Sequence, residues 1–197
     1  QSAATMEAHA KENLLPVANL ENTFSPNLVN TGEQLVLFDT GFGEIGRKLG
    51  AGNLQSLLTT AGYKVQDVDI VVLTHAHPDH IGGLFNDGMP TYPNARYVMG
   101  QVEFDAWKSG EKVVAGIRAV EAFGHSLGHM AYRIESEGQS LLLWGDVVNH
   151  YAFSLQRPQW QVSFDDDKQM AVATRQRILD MVATDRLLVL GHHMPFP

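Results

Sequence analysis

Short apolar runs separated by amphipathic segments are the dominant pattern along this chain. Runs of roughly four to eight residues rich in Val, Ile and Leu predict buried strands. They lie at residues 34–39, 69–73, 96–99, 139–146 and 186–190. Helix-forming composition or helical apolar spacing predicts helices at residues 2–15, 53–61 and 102–108. Because helices and strands alternate, the pattern indicates a layered α/β fold.

Three other segments add to this pattern. Residues 28–39 predict a hairpin whose turn contains Gly32, and residues 113–122 predict a strand or a pair of strands. A long helix is predicted to begin at residues 165–167, where acidic side chains would lie at its positive end. Its predicted buried stripe consists of Met170, Ala173, Ile178, Met181 and Val182.

The densest cluster of reactive side chains directly follows the strand predicted at 69–73. Its members are His75, His77, Asp79 and His80. His75 and His77 are two apart on an extended segment and can point the same way, whereas Pro78 turns the chain. Asp79 and His80 would then open a helix directed at a second point. Because burying this much acidic and basic chemistry is costly unless something coordinates it, the stretch can supply ligands to two metal ions.

Further histidines and carboxylates lie at or near other predicted strand ends. They are Asp39, His125, His129, Asp146, His192 and His193. The chain has no cysteine, so any metal must be held by nitrogen and oxygen ligands. Such ligands suit Zn²⁺ without excluding Mn²⁺, Fe²⁺ or Co²⁺.

The stretch Thr74–Gly83 resembles the metal-binding motif of the metallo-β-lactamase superfamily, and later motifs extend the resemblance over most of the chain. Those motifs are Asp39-Thr40-Gly41, Gly124-His125-Ser126-Leu127-Gly128-His129, Gly145-Asp146 and Gly191-x-His193-x-Pro195. The resemblance implies an α/β fold, a four-layer αββα sandwich, as one domain over residues 1–197. Members of the superfamily usually have one or two strands before the region matching 1–15 and a helical stretch near 110–113. We therefore expect additional segments at both places.

The resemblance also implies a ligand set. One metal ion would be held by His75, His77 and His125, and the other by Asp79, His80 and His193. Asp146 would bridge the two ions, and Asp79 could also carry a proton to the leaving group. His129 is the alternative to His125, and His192 is the alternative to His193. Asp39 is expected to orient a metal-binding histidine, because a carboxylate partner fixes the tautomer of an imidazole.

Charge and composition restrict the partners of the chain. The net charge of −8 argues against a nucleic-acid partner. No apolar run approaches the roughly 20 residues needed to cross a membrane, and no signal peptide is visible at the start. We therefore expect a soluble protein with a small-molecule substrate. The oligomeric state is left open, with a homodimer as one option. Cytoplasm and periplasm are both compatible with the lack of cysteine.

The expected activity is that of a dinuclear, metal-dependent hydrolase in which a metal-bridging hydroxide attacks an ester, lactone or phosphoester. The motifs are most similar to the lactonase and organophosphate-hydrolase branch of the superfamily, and two zinc ions are the expected cofactors. A mononuclear iron dioxygenase and a glyoxalase-II-like thioester hydrolase are the alternatives. The aromatic loop at 147–160 follows Asp146, so His150 or Tyr151 is expected near a substrate oxygen.

Overall fold

A computed structural model describes residues 1–17, 22–107 and 116–195. The chain divides into two compact units. One is contiguous, Phe24–Val114, and the other is discontinuous, combining Gln1–Thr23 with Ala115–Pro197. The prediction of a single domain over residues 1–197 stays a prediction.

The contiguous unit is built on a four-stranded sheet of order β1-β2-β3-β6. Its strands are β1 (Asn27–Asn30), β2 (Leu35–Phe38), β3 (Ile70–Leu73) and β6 (Arg96–Met99). The first pair is the predicted antiparallel hairpin, whereas β2, β3 and β6 run parallel. All four residues of β3 are buried, as expected of a central parallel strand. The end of β3 is therefore fixed by sheet neighbours on both sides.

Helices and a small hairpin complete the contiguous unit. They are α2 (Leu54–Thr60), α3 (Pro78–Ile81), β4 (Phe85–Asn86), β5 (Met89–Pro90) and α4 (Gln101–Trp107). Two 3-10 helices, Gly43–Leu49 and Val65–Asp67, were not predicted from the sequence. Helix α3 begins with proline at its first position, where the missing N–H costs nothing. This confirms the predicted turn between His77 and Asp79.

The discontinuous unit contains a second four-stranded sheet, of order β10-β9-β8-β7. Its elements are α1 (Ala3–Glu12), β7 (Ile117–Glu121), β8 (Met130–Ser136), β9 (Gln139–Leu143), α5 (Lys168–Asp185) and β10 (Leu188–Leu190). Strands β7, β8 and β9 are antiparallel, whereas β10 returns across α5 to pair parallel with β9. The side chain of Asp167 caps α5 by accepting from the N–H groups of Gln169 and Met170.

The buried face of α5 differs from the predicted stripe. Ala171, Thr174, Arg175 and Ile178 are buried, whereas Met170 and Ala173 are exposed. The prediction was wrong at those two positions, and the hydrogen-bonded Arg175 is buried instead. Ile178 is buried as predicted, and Met181 and Val182 pack against the core. Part of the strand predicted at 113–122 and the additional segment expected near 110–113 lie outside the described residues. Among the residues that are described, no helix is long and apolar enough to traverse a bilayer.

Candidate metal centre

The end of β3 is organised by the carboxylate of Asp39, which follows β2. Asp39 accepts hydrogen bonds from the backbone N–H of Thr74 at 2.8 Å and from its hydroxyl at 2.9 Å. The same carboxylate lies 2.9 Å from Nδ1 of His80. Asp39 has a positive φ of 59°, a strained conformation that persists only where the surroundings hold it. The prediction that Asp39 orients a histidine of the cluster is confirmed.

His75 and His77 lie side by side in the contiguous unit, as their two-residue spacing predicts. Nε2 of His75 lies 2.9 Å from Nδ1 of His77, and Nδ1 of His75 lies 3.0 Å from the hydroxyl of Thr74. The intervening residue, Ala76, donates its N–H to the buried carboxylate of Glu103 at 2.9 Å. Glu103 therefore fixes the backbone between the two imidazoles, a role that sequence reasoning missed.

Helix α3 positions Asp79 and His80. The His80 carbonyl accepts hydrogen bonds from the N–H of Thr40 at 2.7 Å and from its hydroxyl at 2.8 Å. The imidazole of His80 is fully buried, and its Nε2 lies 3.5 Å from the carboxylate of Asp79. The ring centroid of His80 lies 4.0 Å from that of His75. The contiguous unit thus brings all four residues of the predicted cluster together.

The discontinuous unit holds a second cluster around Asp146, which follows β9. One carboxylate oxygen of Asp146 lies 2.9 Å from Nε2 of His193 and 3.3 Å from Nε2 of His125. The backbone N–H of Asp146 donates to Nε2 of His129 at 3.0 Å. His129 therefore supports the backbone, whereas His125 and His193 both contact the carboxylate of Asp146. His192 is also buried.

The two histidines beside Asp146 are each fixed by a hydrogen bond from the other ring nitrogen. Nδ1 of His125 lies 2.9 Å from the carboxylate of Asp165, and Nδ1 of His193 lies 2.8 Å from the carbonyl oxygen of Thr23. Because both partners can only accept, each Nδ1 carries the proton. In the neutral rings, the Nε2 lone pairs then face the carboxylate of Asp146, so acceptors oppose acceptors.

This arrangement fits a metal ion. Opposed lone pairs at 2.9 and 3.3 Å repel each other unless a proton or a cation lies between them. A carboxylate or carbonyl on Nδ1 and a lone pair on Nε2 are also the arrangement found in metal-binding histidines. His80 in the contiguous unit has the same kind of carboxylate partner, because Asp39 accepts from its Nδ1. Nitrogen and oxygen donors of this kind suit zinc.

Asp165 and Arg175 form a pair beside the ring of His125 that sequence reasoning missed. The guanidinium of Arg175 is 1% exposed, lies 3.5 Å from Asp165, and donates to the carbonyl oxygens of Val147, Pro158 and Trp160. Burial lowers the pKa of Arg175, and the charge of Asp165 opposes that shift. One buried ion pair therefore connects α5, the loop at 147–160 and the ring of His125.

His9, on helix α1, is a packing residue. It is buried and its Nε2 donates to the carbonyl oxygen of Ala152 at 2.7 Å. Its ring contacts Phe153 and Trp160 with centroid distances of 5.7 and 5.2 Å. Helix α1 therefore supports the aromatic loop that follows Asp146.

Comparisons with known proteins place this fold. The family model of the metallo-β-lactamase superfamily matches residues 26–86. An N-acyl homoserine lactonase from Bacillus cereus is 24% identical over 199 residues, covering 88% of this chain and 78% of the relative.

Two solved structures are similar over nearly the whole chain. AidC, described as a dizinc quorum-quenching lactonase in complex with a product, has a TM-score of 0.93 at 24% identity, covering 100% of this chain and 81% of its own. AbOPH, described as a hydrolase in the beta lactamase superfamily, has a TM-score of 0.90 at 24% identity, covering 98% of this chain and 80% of its own. The predicted fold class is confirmed.

Proposed function

We propose that this chain, a metal-dependent hydrolase of the metallo-β-lactamase superfamily, opens ester or lactone bonds with the help of two divalent metal ions. The observation that carries the proposal is the set of imidazoles whose Nδ1 atoms are tied to Asp39, Asp165 and Thr23. This leaves Nε2 of His80, His125 and His193 as donors of lone pairs. Zinc is the proposed metal because a lactonase with this fold is described as dizinc.

The proposed ligands are those expected from the sequence. His75, His77 and His125 would hold one ion, Asp79, His80 and His193 would hold the other, and Asp146 would bridge them. The contacts of Asp146 with both His125 and His193 support its bridging role. The hydrogen bond from the backbone of Asp146 to His129 supports the choice of His125 over His129.

The chemistry divides between the metal and the protein. When bound, zinc lowers the pKa of coordinated water to about 7 and polarises a carbonyl oxygen. Asp39 and Asp165 hold imidazoles in one tautomer, so these ligands need not reorganise. Asp79 is proposed to carry the proton to the leaving group. Its carboxylate is largely buried and lies beside His80, which supports a position close to the reacting atoms.

An N-acyl homoserine lactone is the proposed substrate class. The support is that the Bacillus cereus relative is an N-acyl homoserine lactonase and that AidC is a quorum-quenching lactonase solved in complex with an N-acylated homoserine product. The comparisons do not favour a mononuclear iron dioxygenase or a glyoxalase-II-like enzyme. Phosphoester hydrolysis would use the same ligands and is therefore included as an outcome of the test.

The test combines metal analysis with a panel of N-acyl homoserine lactones, a phosphotriester, a thioester and an aryl ester. We expect two zinc ions per chain and the fastest turnover with the lactones. His77→Ala is expected to abolish turnover and weaken metal retention, because it removes one of the proposed metal ligands. His193→Ala should lose one ion, whereas the matched variant His192→Ala should keep both. One iron per chain with oxygen uptake, or unchanged turnover in His77→Ala, would contradict the proposal.

A further inference from the structure

The segment that joins β3 to α3, residues 74–77, extends beyond the paired part of its sheet. Pairing with β2 ends at Phe38 opposite Val72, and pairing with β6 ends at Met99 opposite Leu73. Beyond this point, buried backbone N–H groups have to find acceptors other than a neighbouring strand, because a buried donor without an acceptor is costly. The acceptors that they find determine where the segment lies.

Two buried carboxylates accept hydrogen bonds from this segment. Asp39, which follows β2, accepts from the N–H of Thr74 at 2.8 Å. Glu103, in the helix α4 that follows β6, accepts from the N–H of Ala76 at 2.9 Å. Strands β2 and β6 lie on opposite sides of β3. Each neighbour of β3 is therefore followed by one acidic side chain that holds the segment after β3.

The two carboxylates differ in what else they position. Asp39 also lies 2.9 Å from Nδ1 of His80, so a change at Asp39 would disturb more than the backbone after β3. The bond to Glu103 comes from the residue between His75 and His77. Loss of this bond should therefore act first on these two imidazoles, and His80 would keep its own carboxylate partner.

A small displacement of Ala76 matters because the two imidazoles beside it are already close together. Nε2 of His75 lies 2.9 Å from Nδ1 of His77. The backbone between the rings passes through Ala76, so a rotation of this peptide group changes the separation and direction of both rings. Metal ligands must be held within about 0.5 Å of the productive geometry. An acceptor that fixes this peptide group therefore controls how well the pair can bind one ion.

The contact of Glu103 differs in kind from those of Asp39 and Asp165. Both aspartates lie against an imidazole nitrogen, where a negative charge raises the basicity of the ligand. Glu103 accepts from a backbone N–H instead. This hydrogen bond depends on the position of the acceptor oxygen, and a neutral oxygen can also accept it.

We propose that Glu103 is a positioning residue for the metal ion of His75 and His77, and that it acts through the position of its oxygen rather than through its charge. It holds the peptide group of Ala76 so that the two imidazoles are oriented before an ion binds. The inference rests on the proposed function, because it needs these histidines to be metal ligands. It adds that the two ions depend on different supporting residues.

The first experiment separates position from charge with two conservative variants. Glu103→Asp keeps the charge but withdraws the oxygen by about 1.5 Å, the length of one C–C bond, which breaks the hydrogen bond to Ala76. Glu103→Gln loses the charge but keeps an acceptor oxygen at the same distance from the backbone. Competition with a chromogenic chelator measures the affinities for zinc. We expect one affinity to fall about 10- to 100-fold in Glu103→Asp and to be largely retained in Glu103→Gln.

The matched control is Asp105→Asn, which removes an exposed carboxylate from the same helix and should leave both zinc affinities unchanged. Unchanged affinities in Glu103→Asp would overturn the inference. A loss in Glu103→Gln as large as that in Glu103→Asp would also overturn it, because charge would then be the cause.

The second experiment identifies which ion depends on Glu103. In His77→Ala the ion of this pair is already weakened, so adding Glu103→Asp should cause little further loss of zinc affinity. In His80→Ala the other ion is weakened, so adding Glu103→Asp should still lower the remaining affinity about 10- to 100-fold. Equal losses in the two backgrounds would overturn the inference.

These zinc titrations need no turnover, so they also separate the inference from the proposed function. If Glu103→Asp weakens one ion as expected but the wild-type protein hydrolyses no member of the substrate panel, the proposed function alone is contradicted. If the wild-type protein hydrolyses lactones but Glu103→Asp binds zinc normally, the inference alone is overturned.

Discussion

Asp165 shows how a residue that holds a ligand in place can matter as much as the ligand itself. Its carboxylate lies against both Nδ1 of His125 and the guanidinium of Arg175, and it is buried. The charge has two functions in this position. It fixes the tautomer of His125, and it compensates the buried guanidinium.

We predict that Asp165→Asn lowers metal affinity or kcat/KM by about 10- to 100-fold. The amide oxygen can still accept from His125, but the negative charge that raises the basicity of the ring is lost. Asp166→Asn is the matched control, because the neighbouring side chain is exposed. Competition with a chromogenic zinc chelator would measure the affinity. Equal losses in the two variants would show that Asp165 acts only through general stability.

The proposed ligands could be predicted from the sequence, whereas their supports could not. His75, His77, Asp79 and His80 are close in the chain, so local spacing was enough. Asp165 lies 40 residues from His125 and begins a predicted helix, so its acidity was explained by the helix dipole. Glu103 was also missed, because its partner Ala76 lies 27 residues away in the sequence and local patterns do not connect the two.

A pH dependence is expected at His150. Since burial lowers its pKa below the ordinary value of 6.5, the unfolded chain binds this proton more readily than the folded chain. Its contribution to the free energy of unfolding is full above about pH 6.5 and is lost as the pH falls toward the folded-state pKa. Urea unfolding at pH 8 and pH 5.5 should therefore show a larger loss in the wild-type protein than in His150→Asn. An identical loss of unfolding free energy in both proteins would contradict the proposed contribution of His150 to the pH dependence.

At the scale of elements, close backbone contacts determine where helix α3 lies. A Cβ at Gly82 would collide with the carbonyl oxygens of Phe42 and Pro78, and one at Gly83 would collide with the carbonyl oxygen of Thr40. The two glycines therefore allow the helix carrying Asp79 and His80 to approach the turn after β2. The pattern Ile-Gly-Gly directly after the cluster is therefore a packing requirement of α3.

We predict that Gly82→Ala lowers the free energy of unfolding by about 1 to 3 kcal/mol and also weakens metal binding, because α3 must move. The φ of Gly82 is −61°, which alanine adopts without strain, so the cost comes from the collision alone. Gly32→Ala is the opposite control, with a strained φ of +87° and open space around the Cβ. It should destabilise the protein without changing zinc affinity. Normal zinc affinity in Gly82→Ala would contradict the role of this contact.

Strands were predicted more reliably than the orientation of helices. Runs such as Ile70–Leu73 have few alternatives to a buried strand, and the structure places one there. Helix α5 was predicted near its observed start, but two positions of its buried face, Met170 and Ala173, were wrong. Sequence patterns assign a charged residue to the surface, and Arg175 is buried because four hydrogen bonds to carbonyls and a carboxylate compensate it.

At the scale of the whole molecule, metal removal should change stability. If the proposed residues hold two zinc ions, the ions bind the folded chain and stabilise it by mass action, by about 4 kcal/mol at a free concentration 1,000 times the dissociation constant. We predict that a chelator lowers the unfolding temperature and that zinc restores it. His77→Ala should show a smaller shift. A chelator effect of equal size in this variant would contradict the ligand assignment.

Global properties followed from the sequence only in part. The α/β class could be predicted from alternation, but the order β10-β9-β8-β7 could not, because β10 pairs with β9 across an intervening helix. The homodimer, the compartment and the single domain stay predictions. They depend on surfaces and segments about which local patterns carry no information.

The division of the chain has a consequence for the order of folding. The contiguous unit can form from neighbouring segments, whereas the discontinuous unit must join ends separated by the whole of the other unit. The bond between His9 and Ala152 closes a loop of 143 residues, and the entropy of closing a loop rises with its length. During synthesis, α1 leaves the ribosome long before the loop against which it packs. The packing of α1 against the aromatic loop is therefore among the last contacts of the discontinuous unit to form.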